Sequence, residues 1–600
     1  MKKMNILMAI TAAAMLLACT KDDASDLYNS WGSTISGGSG SGSSSSYTVS
    51  LSDFNIDKTT AEPATSVSPY YPDETEDNIA NEDFSSATTV NIVFSSSSVS
   101  CDAPSTMTVT TDGAHLTIDH GSDAKVVYNV SGSTNAGSLT IAGEKKYKLC
   151  LNGVTITNPD STAIDLLSKK RAYIVLSGTN TLTDGTSSKD DDQKAAFYCK
   201  GKMLFSGSGS LDVYGNTKNG IASADYIVFS TGNNVYVKST ANHGIKANDG
   251  IYINGGIINV EVSADATKGI NCESDIMVCG GRTTCITTGA GAWDTTDSEV
   301  KGSAGMKADG SITVKGGQLY MKSTGSSGKG LSADGTLTVT GGEIYVITKG
   351  GTTIYSGSTV TNNYTGSTDR VSSSYKSSPK GIKIDGAISI SGGNTLVSAN
   401  NEAIESKSTI DITGGHVYAY GSDDAINSSS NMTISGGYVC AHSSGNDGLD
   451  ANGNCYIKGG VVYAIGTGSP EVGIDANTEG GYKLYVQGGT LVAIGGLESG
   501  SSLSQSCYSA SSWSKNTWYA LYNGSDLALA FKTPSSGGTT MAISTSGTPS
   551  LQSGVTVADG TSYFNGMGNI GGTVSGGSSV SLSSYSGGNS MGGGPGGGRW

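Results

Sequence analysis

Residues 403–424 read AIESKSTIDITGGHVYAYGSDD, and residues 425–446 continue as AINSSSNMTISGGYVCAHSSGN. The two stretches align without a gap, and each has alternating apolar residues directly before a Gly-Gly pair. A period of two is typical of a strand that buries one face. Double glycines recur from Gly255 to Gly489, the closest of them 22 residues apart, so the chain repeats one structural unit.

Each unit contains three short strands joined by turns of Gly, Asn and Asp. One strand precedes the double glycine, one follows it, and one is a Gly-apolar-x-small element such as Gly244-Ile245-Lys246-Ala247. Three strands in about 22 residues describe one coil of a parallel β-helix, in which successive coils lie ~4.8 Å apart and equivalent side chains stack. A β-propeller, the alternative architecture, needs four strands in about 40–50 residues and fits this spacing poorly.

We therefore predict an all-β protein: a right-handed parallel β-helix with a β-rich N-terminal cap and a small C-terminal β region. The predicted divisions are a signal peptide (1–18), a lipidated Cys with a Gly/Ser tether (19–46), the N-terminal cap (47–136), the β-helix (137–495), the C-terminal β cap (496–585) and a Gly-rich tail (586–600). Two longer steps predict loops on the rod, 289–303 with Trp293 and 349–379 with Tyr355, Tyr364 and Tyr375. Asn523-Gly524 predicts a hairpin in the C-terminal region.

The first residues have the features of an export signal. Lys2 and Lys3 precede an apolar run that is too short to span a bilayer, and the run ends at Leu16-Leu17-Ala18-Cys19, which resembles a bacterial lipobox. We expect lipid on Cys19, and the following Lys-Asp-Asp favours an outer-membrane lipoprotein that faces the cell exterior. The alternative is an ordinary secretory signal with a chance Cys. Contact with the membrane is expected through the lipid alone.

The amino-acid composition limits the classes of partner that the protein is expected to bind. Charged residues make up 14% of the chain and the formal net charge is −15, so we expect no nucleic-acid partner. The cysteines have no Cys-x-x-Cys spacing, and the repeat register places Cys272 and Cys455 in apolar columns, as core side chains. We expect a monomer.

The outward positions of the Gly-apolar element change from basic to acidic along the rod. The basic residues are Lys246, Lys268, Lys307, Lys329, Lys380 and Lys383. The acidic and amide residues are Glu402, Glu405, Asp423, Asp424, Asn427, Asn446, Asp447 and Asp450. The basic run is either a track for anionic groups such as uronates or a solvated surface.

The acidic run offers only oxygen donors, on three consecutive coils. Calcium takes about six to eight oxygen ligands, and a rigid ladder of carboxylates and amides can supply them. We therefore predict calcium as the cofactor, held by the eight residues of this run. The alternative is a solvated acidic edge whose Asn and Asp residues serve the turns.

A column of tyrosines lies three residues after the double glycine. Its members are Tyr320, Tyr345, Tyr418 and Tyr463. Stacked tyrosines form either ordinary cross-strand pairs or a flat platform for sugar rings. With Lys307, Lys329, Lys380 and Lys383, these four tyrosines are the candidate carbohydrate-binding residues.

The succession of motifs resembles a known family. Leu151-Asn152-Gly153-Val154, the Gly-Ile-x-Ala coils, Asn401-Glu402-Ala403-Ile404-Glu405 and Ser422-Asp423-Asp424-Ala425-Ile426-Asn427 are similar to the carbohydrate-binding right-handed β-helix family, over roughly residues 85–495. That family resembles pectate lyases and binds cellulose and acidic, pectin-like sugars with bound calcium. The resemblance implies calcium at Asp423, Asp424 and Asn427 with Glu405 or Glu402. The next coil repeats this spacing as Asn446, Asp447 and Asp450.

Catalysis is less favoured than binding. β-Elimination on a uronate needs a Lys or Arg base close to the metal. Lys407 and Lys458 do not fall in a column that clearly faces the acidic run, whereas Lys380 and Lys383 lie on the coil before it. We therefore expect a surface-anchored, calcium-dependent protein that binds plant-type or acidic polysaccharide without cleaving it. The alternatives are a calcium-dependent, pectate-type polysaccharide lyase and a structural adhesin or spacer.

Overall fold

The structure is a computed structural model, and it describes residues 50–122, 125–187 and 190–587. The signal peptide, Cys19, the Gly/Ser tether and nearly all of the Gly-rich tail lie outside the described residues. The described chain forms a parallel β-solenoid of about 15 turns, which confirms the predicted parallel β-helix. No helix in the described part is long and apolar enough to cross a membrane.

Three strands per coil give the rod three faces, as the repeat predicts. The first face consists of Thr108–Asp112, Ala114–Asp119, Gly137–Ala142, Ile164–Leu166, Ala195–Cys199, Asn219–Ser223, Ile245–Ala247, Lys268–Cys272, Ala304–Ala308, Lys329–Ala333, Lys380–Ile384, Ile404–Ser406, Ile426–Ser428 and Leu449–Ala451. The second face consists of Ala172–Ser177, Met203–Gly207, Tyr226–Phe229, Gly250–Ile253, Ile276–Val278, Ile312–Val314, Leu337–Val339, Ile388–Ile390, Ile410–Ile412, Met432–Ile434, Cys455–Ile457, Leu484–Val486 and Ser502–Leu503. The third face consists of Thr179–Asp184, Ser210–Gly215, Asn234–Ser239, Ile257–Val262, Arg282–Thr287, Gln318–Ser323, Glu343–Thr348, Asn394–Ala399, His416–Gly421, Tyr438–Ser443, Val461–Ile465 and Thr490–Ile494.

The coils stack in the register that the sequence predicts. On the second face Ile410 pairs with Met432 and Met432 with Cys455, and all three side chains are buried. Cys272 is likewise buried in the core, below Ala247 in the preceding coil. Successive apolar residues thus form continuous columns along the axis, and these columns are the hydrophobic core.

The second glycine of each pair turns the chain from the second face to the third. Gly437 has φ +79°, a left-handed backbone conformation that residues other than Gly rarely adopt. A Cβ placed there would lie 2.7 Å from the carbonyl oxygen of Gly415 in the coil below. The turn therefore needs Gly both for its dihedral angle and for the close approach of the coils.

Four further strands lie at the N-terminal end of the described chain, and the first of them begins at Thr88. They are Thr88–Phe94, Val99–Cys101, Val126–Thr134 and Tyr147–Asn158, of which the last runs across two faces. Residues 50–87 are irregular, apart from one 3-10 turn at Ile79–Asn81, and lie along the rod. Polar contacts hold this segment: Lys322 Nζ lies 2.8 Å from Asp53 Oδ1, and Tyr70 exchanges two hydrogen bonds with Asn254.

The C-terminal region forms its own antiparallel sheet. Its strands are Trp518–Asn523, Asp526–Lys532, Pro549–Ala558, Thr561–Tyr563, Gly568–Ile570 and Thr573–Val580, with a 3-10 turn at Phe564–Gly566. The first two strands pair on either side of Asn523-Gly524, which confirms the predicted hairpin. Cys507–Ala510, Met541–Ser544 and Leu582–Tyr585 extend the third face and join this sheet to the rod.

Both predicted loops carry small sheets of their own. The first holds the hairpin Ala292–Asp294 and Glu299–Lys301. The second holds Thr352–Ser356, Thr359–Tyr364 and Lys376–Ser377, with a 3-10 turn at Ser373–Tyr375. Residues of both insertions border the basic coils of the first face.

Candidate functional site

The basic and acidic residues form columns on the first face, as the register predicts. Lys268, Ala304, Lys329 and Lys380 follow one another in one column. The neighbouring column runs through Asn271, Lys307, Ser332, Lys383, Glu405, Asn427 and Asp450. The change from basic to acidic falls between Lys383 and Glu405, on adjacent coils.

The basic coils form the floor of a cleft of about 1050 Å³. The floor carries Lys268, Lys307, Lys329, Lys380 and Lys383. The two insertions form its walls, since the lining includes residues 292–295, 297 and 299–302 from one and residues 373, 374 and 376–378 from the other. We call this space the lysine cleft. It includes all four lysines that the sequence predicts to bind carbohydrate.

Three aromatic rings connect the two walls. The ring centroids of Trp293 and Tyr355 lie 3.9 Å apart with nearly parallel planes, and Tyr375 lies 5.2 Å from Trp293. Trp293 lines the lysine cleft. The sequence places these residues on loops but does not assign them to a site, because their ring contacts join segments about 60 residues apart. The feature of the sequence that could have indicated this cluster is a long insertion rich in aromatic residues.

Three of the floor lysines are neutralised by carboxylates of the chain itself. Lys307 Nζ lies 3.0 Å from Asp309 and 2.6 Å from Asp334, and Lys383 pairs with Asp385. Lys380 Nζ lies 2.7 Å from Glu402 and 2.8 Å from Glu405. Burial alone would lower the pKa of Lys380, but the two glutamates outweigh burial and raise it. A ligand has to compete with these internal ion pairs.

Lys268 and Lys329 have a different environment. Among the described residues, neither has a carboxylate within ion-pair distance. The ammonium group of Lys329 donates hydrogen bonds to Ser327 O at 3.2 Å and to Ser377 Oγ at 3.0 Å. Burial, with repulsion from Lys383, Lys268 and Lys380, lowers the pKa of Lys329 to about 7. Burial, with repulsion from Lys301 and Lys307, lowers the pKa of Lys268 to about 8.

Beyond the cleft, the acidic residues stack in a buried ladder. Asp424 and Asp447 lie on adjacent coils of the same face, and the backbone N–H of Asp447 donates to Asp424 Oδ1 at 3.2 Å. Burial, reinforced by nearby carboxylates, raises the pKa of Asp424 to about 9 and of Asp447 to about 8. Burial also raises the pKa of Asp450 to about 6, although hydrogen bonds with Asn427, Asp424 and Asp475 oppose the rise. The ladder continues one coil beyond the predicted residues to Asp475, whose pKa burial and Glu498 raise to about 10.

The eight predicted calcium ligands do not share one environment. Glu402 and Glu405 face Lys380, and Lys407 also pairs with Glu405. The two amides donate to carboxylates: Asn427 Nδ2 lies 2.5 Å from Asp450 Oδ2, and Asn446 Nδ2 lies 3.1 Å from Asp423 Oδ1. The donors are the oxygens that calcium prefers, and their mutual repulsion favours a cation. As placed, however, no group of three or more His, Cys, Asp or Glu in the described chain could hold a metal ion.

The predicted outward position is wrong for two of the four tyrosines of the platform, Tyr418 and Tyr463. Tyr418 and Tyr463 are buried beneath the C-terminal sheet, and the hydroxyl of Tyr463 donates to Lys532 O at 3.0 Å. Tyr320 and Tyr345 are partly exposed, but their rings stack on each other with centroids 4.8 Å apart. Arg282 covers the ring of Tyr320, and Phe54 packs against it edge-on.

The C-terminal sheet covers Tyr418 and Tyr463, whereas the arrangement of Tyr320 and Tyr345 follows from the stacking of adjacent coils. Equivalent side chains on adjacent coils are separated along the rod axis by the strand spacing of about 4.8 Å, which is also a favourable distance for parallel rings. Neighbouring tyrosines in one column therefore use their faces on one another and turn their edges outward. A sugar ring therefore finds no free aromatic face between Tyr320 and Tyr345.

Comparison with known proteins identifies the family of the chain. The family described as carbohydrate-binding domain-containing protein matches residues 105–271 and 237–425, together more than half of the chain. A protein of that description from Acetivibrio thermocellus is 31% identical over 122 residues, which are 19% of this chain and 42% of the relative. This chain therefore spans less than half the length of that relative.

A solved structure of a polysaccharide lyase-like protein from C. thermocellum, a gadolinium derivative, covers 44% of this chain and 96% of its own. Its sequence identity is 22% and its TM-score is 0.28, too low to support an argument about function. The family match extends from the first coils of the rod through the lysine cleft to Ala425 in the acidic ladder. The chain belongs to the family of carbohydrate-binding domain-containing proteins.

Proposed function

We propose that the protein binds an acidic polysaccharide in the lysine cleft and does not cleave it. The observation that carries the proposal is the floor of five lysines on four consecutive coils, under walls that include Trp293. Four coils span about 14 Å along the axis, room for a short stretch of a sugar chain. Lysine ammonium groups recognise carboxylates, and the indole of Trp293 adds an apolar contact for a sugar ring at the wall of the cleft.

The test is direct binding to polygalacturonate, measured by isothermal titration calorimetry at low and at high salt. We expect binding that weakens with salt, because ammonium–carboxylate attraction at a partly open site is screened. Trp293→Ala should lower the affinity several-fold, by about 0.5–1.5 kcal/mol for one aromatic contact. Tyr364→Ala is the matched control, since Tyr364 lies in an insertion but outside the ring stack. Equal losses in the two variants would contradict a role for Trp293 in binding.

Cleavage is measured on the same substrate. Elimination would leave an unsaturated sugar that absorbs in the ultraviolet, and we expect no rise in absorbance with or without calcium. A rise that requires the lysines of the cleft would favour the lyase. Absence of binding across an array of acidic and neutral glycans would favour the structural adhesin or spacer instead.

We also propose that the acidic ladder takes up calcium. Support comes from the all-oxygen donor set and from the cost of keeping repelling carboxylates buried side by side. When bound, calcium would supply positive charge beside Asp424, Asp447 and Asp450. Calcium alone, titrated calorimetrically into chelator-treated protein, should bind and raise the Tm. An unchanged Tm and no binding heat would contradict a calcium site.

A surface lipoprotein is the location that we propose for this binding activity. The proposal rests on the lipobox-like Leu16-Leu17-Ala18-Cys19. In a Gram-negative host, wild-type protein should incorporate labelled fatty acid and be digested by protease added to intact cells. Cys19→Ser should abolish the labelling. Labelling that persists in this variant would contradict lipid attachment at Cys19.

A further inference from the structure

Two lysines of the cleft meet at one point of the backbone. Lys268 Nζ donates to Gly302 O at 3.1 Å and to Ala266 O at 2.5 Å. A Cβ placed on Gly302 would lie 3.0 Å from Lys329 Nζ. Both ammonium groups therefore lie beside Gly302, at the base of the first insertion. Gly302 also lines the lysine cleft.

The residue between the two lysines allows both ammonium groups to approach the same point. Lys268 and Lys329 lie two coils apart in one column, and the intervening position is Ala304. Because Ala304 has a short side chain, the ammonium groups of both lysines can lie beside Gly302. The ammonium group of Lys329 is fixed by the hydrogen bonds that it donates to Ser327 O and to Ser377 Oγ, the latter in the second insertion.

No carboxylate of the described residues forms an ion pair with either of these two ammonium groups, although Asp294, Asp309 and Glu405 lie farther away. Lys307, Lys380 and Lys383 each pair with carboxylates of the protein. Within the described residues, Lys268 and Lys329 contact only backbone carbonyls and one hydroxyl group. Two partly buried cations that repel one another favour an anion placed between them.

We propose that an acidic group of the bound glycan lies between the ammonium groups of Lys268 and Lys329, beside Gly302. This inference rests on the proposed function and specifies its central contact. The ligand chemistry is a carboxylate or a sulfate on a polysaccharide. The paired lysines Lys307, Lys380 and Lys383 surround this contact and contribute less to it, because a ligand must first displace their own carboxylates.

The contact makes binding depend on pH in the neutral range. The charged groups facing Lys329 are Lys268, Lys380, Lys383 and Glu405, and those facing Lys268 are Lys301, Lys307, Asp294 and Asp309. The pKa of Lys329 is about 7, so its amine is mainly neutral above that pH. An anion binds the protonated form, and binding therefore takes up a proton. Affinity should fall as pH rises from 7 to 9, by up to about tenfold per pH unit for one proton.

The experiment measures binding of polygalacturonate and of dextran sulfate at pH 6, 7, 8 and 9, with constant ionic strength. Both polymers keep their charge over this range, so any change in affinity reports the protein. The variants are Lys329→Met, Lys329→Arg and the control Lys246→Met. Lys246 lies on the same face and pairs with Glu273 outside the cleft. The Tm of each variant is recorded so that binding is compared among folded proteins.

We expect wild-type affinity to fall between pH 7 and pH 9 and Lys246→Met to follow it. Lys329→Met should bind at least tenfold more weakly at pH 6 and lose most of the pH dependence. Lys329→Arg should bind at every pH with a flatter profile, because a guanidinium stays charged. A purely structural Lys329 would not produce this difference between Met and Arg. Preference for polygalacturonate indicates a carboxylate, and preference for dextran sulfate a sulfate.

Two results overturn the inference. In the first, Lys329→Met binds as tightly as wild type and keeps its pH profile; the proposed function then stands, and only the location of the contact is wrong. In the second, wild-type protein binds neither polymer at pH 6, which overturns the proposed function and this inference together. If Lys329→Met does not fold, a Lys329→Arg profile identical to that of wild type overturns it.

Discussion

Burial and neighbouring carboxylates determine the charge of Asp424. Burial and the carboxylates of Asp450, Asp423 and Asp447 raise its pKa from 3.8 to about 9. Between these two values the folded protein holds a proton that the unfolded chain has lost. The free energy of unfolding therefore falls as pH rises from about 4 to about 9, and this group favours the folded state most at the acidic end of the window.

Replacing this acid should stabilise the protein at alkaline pH. With a chelator present, we expect the wild-type Tm to be lower at pH 9 than at pH 6, and Asp424→Asn to reduce that difference. The loss does not vanish, because Asp447 and Asp475 contribute in the same direction. Asp411→Asn, an exposed acid of the second face, is the control. Thermal melts test this, and identical pH profiles for wild type and Asp424→Asn would contradict it.

At the scale of the element, the turn after the second-face strand sets the spacing between coils. Gly437 combines φ +79° with close contact to Gly415 of the coil below. Gly481 has a similar φ of +85°, but no heavy atom of the described residues lies within 4 Å of the position that a Cβ would take there. Substitutions at these two glycines can therefore distinguish the free-energy cost of the backbone angle from that of the contact between coils.

We expect Gly481→Ala to cost about 1–2 kcal/mol, the strain of a left-handed Ala alone. Gly437→Ala should cost clearly more, since its methyl group would also push against the carbonyl of Gly415. Urea unfolding and limited proteolysis of the two variants provide the comparison. Equal destabilisation would show that the coils separate at no cost, contrary to the close packing of the turns.

At the scale of the whole molecule, the C-terminal sheet decides which part of the third face meets solvent. Tyr463, Tyr418 and Leu396 share one column of the rod, and all three are buried in a cluster with Phe531 and Tyr519. This part of the column that the sequence offers to a sugar is therefore buried in an internal interface. The binding that we propose therefore lies on the first face, where the insertions form a cleft.

Tyr463→Ala should consequently act on stability and not on glycan affinity. Loss of a buried aromatic side chain costs about 3–5 kcal/mol, so the Tm should fall and hydrogen exchange in Trp518–Lys532 should quicken. Tyr485→Ala, a partly exposed position of the second face, should have a smaller effect. Loss of polygalacturonate binding by folded Tyr463→Ala would contradict this assignment.

By itself, the sequence determined the coil, its three strands and the order of the side chains in each column. The reason is that a residue and its equivalent one coil later touch, so a simple period carries the whole pattern: Ile410, Met432 and Cys455 are stacked as predicted. The basic-to-acidic change between Lys383 and Glu405 follows from the same period.

Only the tertiary structure decided which columns are open, covered or neutralised. Trp293 meets Tyr355, Tyr463 meets Lys532 and Leu51 meets Asn565 through contacts that no repeat encodes. Ion pairs such as Lys380 with Glu402 depend on how far each side chain bends from its column. Contacts between neighbouring coils are periodic and therefore readable, whereas the docking of aperiodic segments depends on the shape of the finished rod.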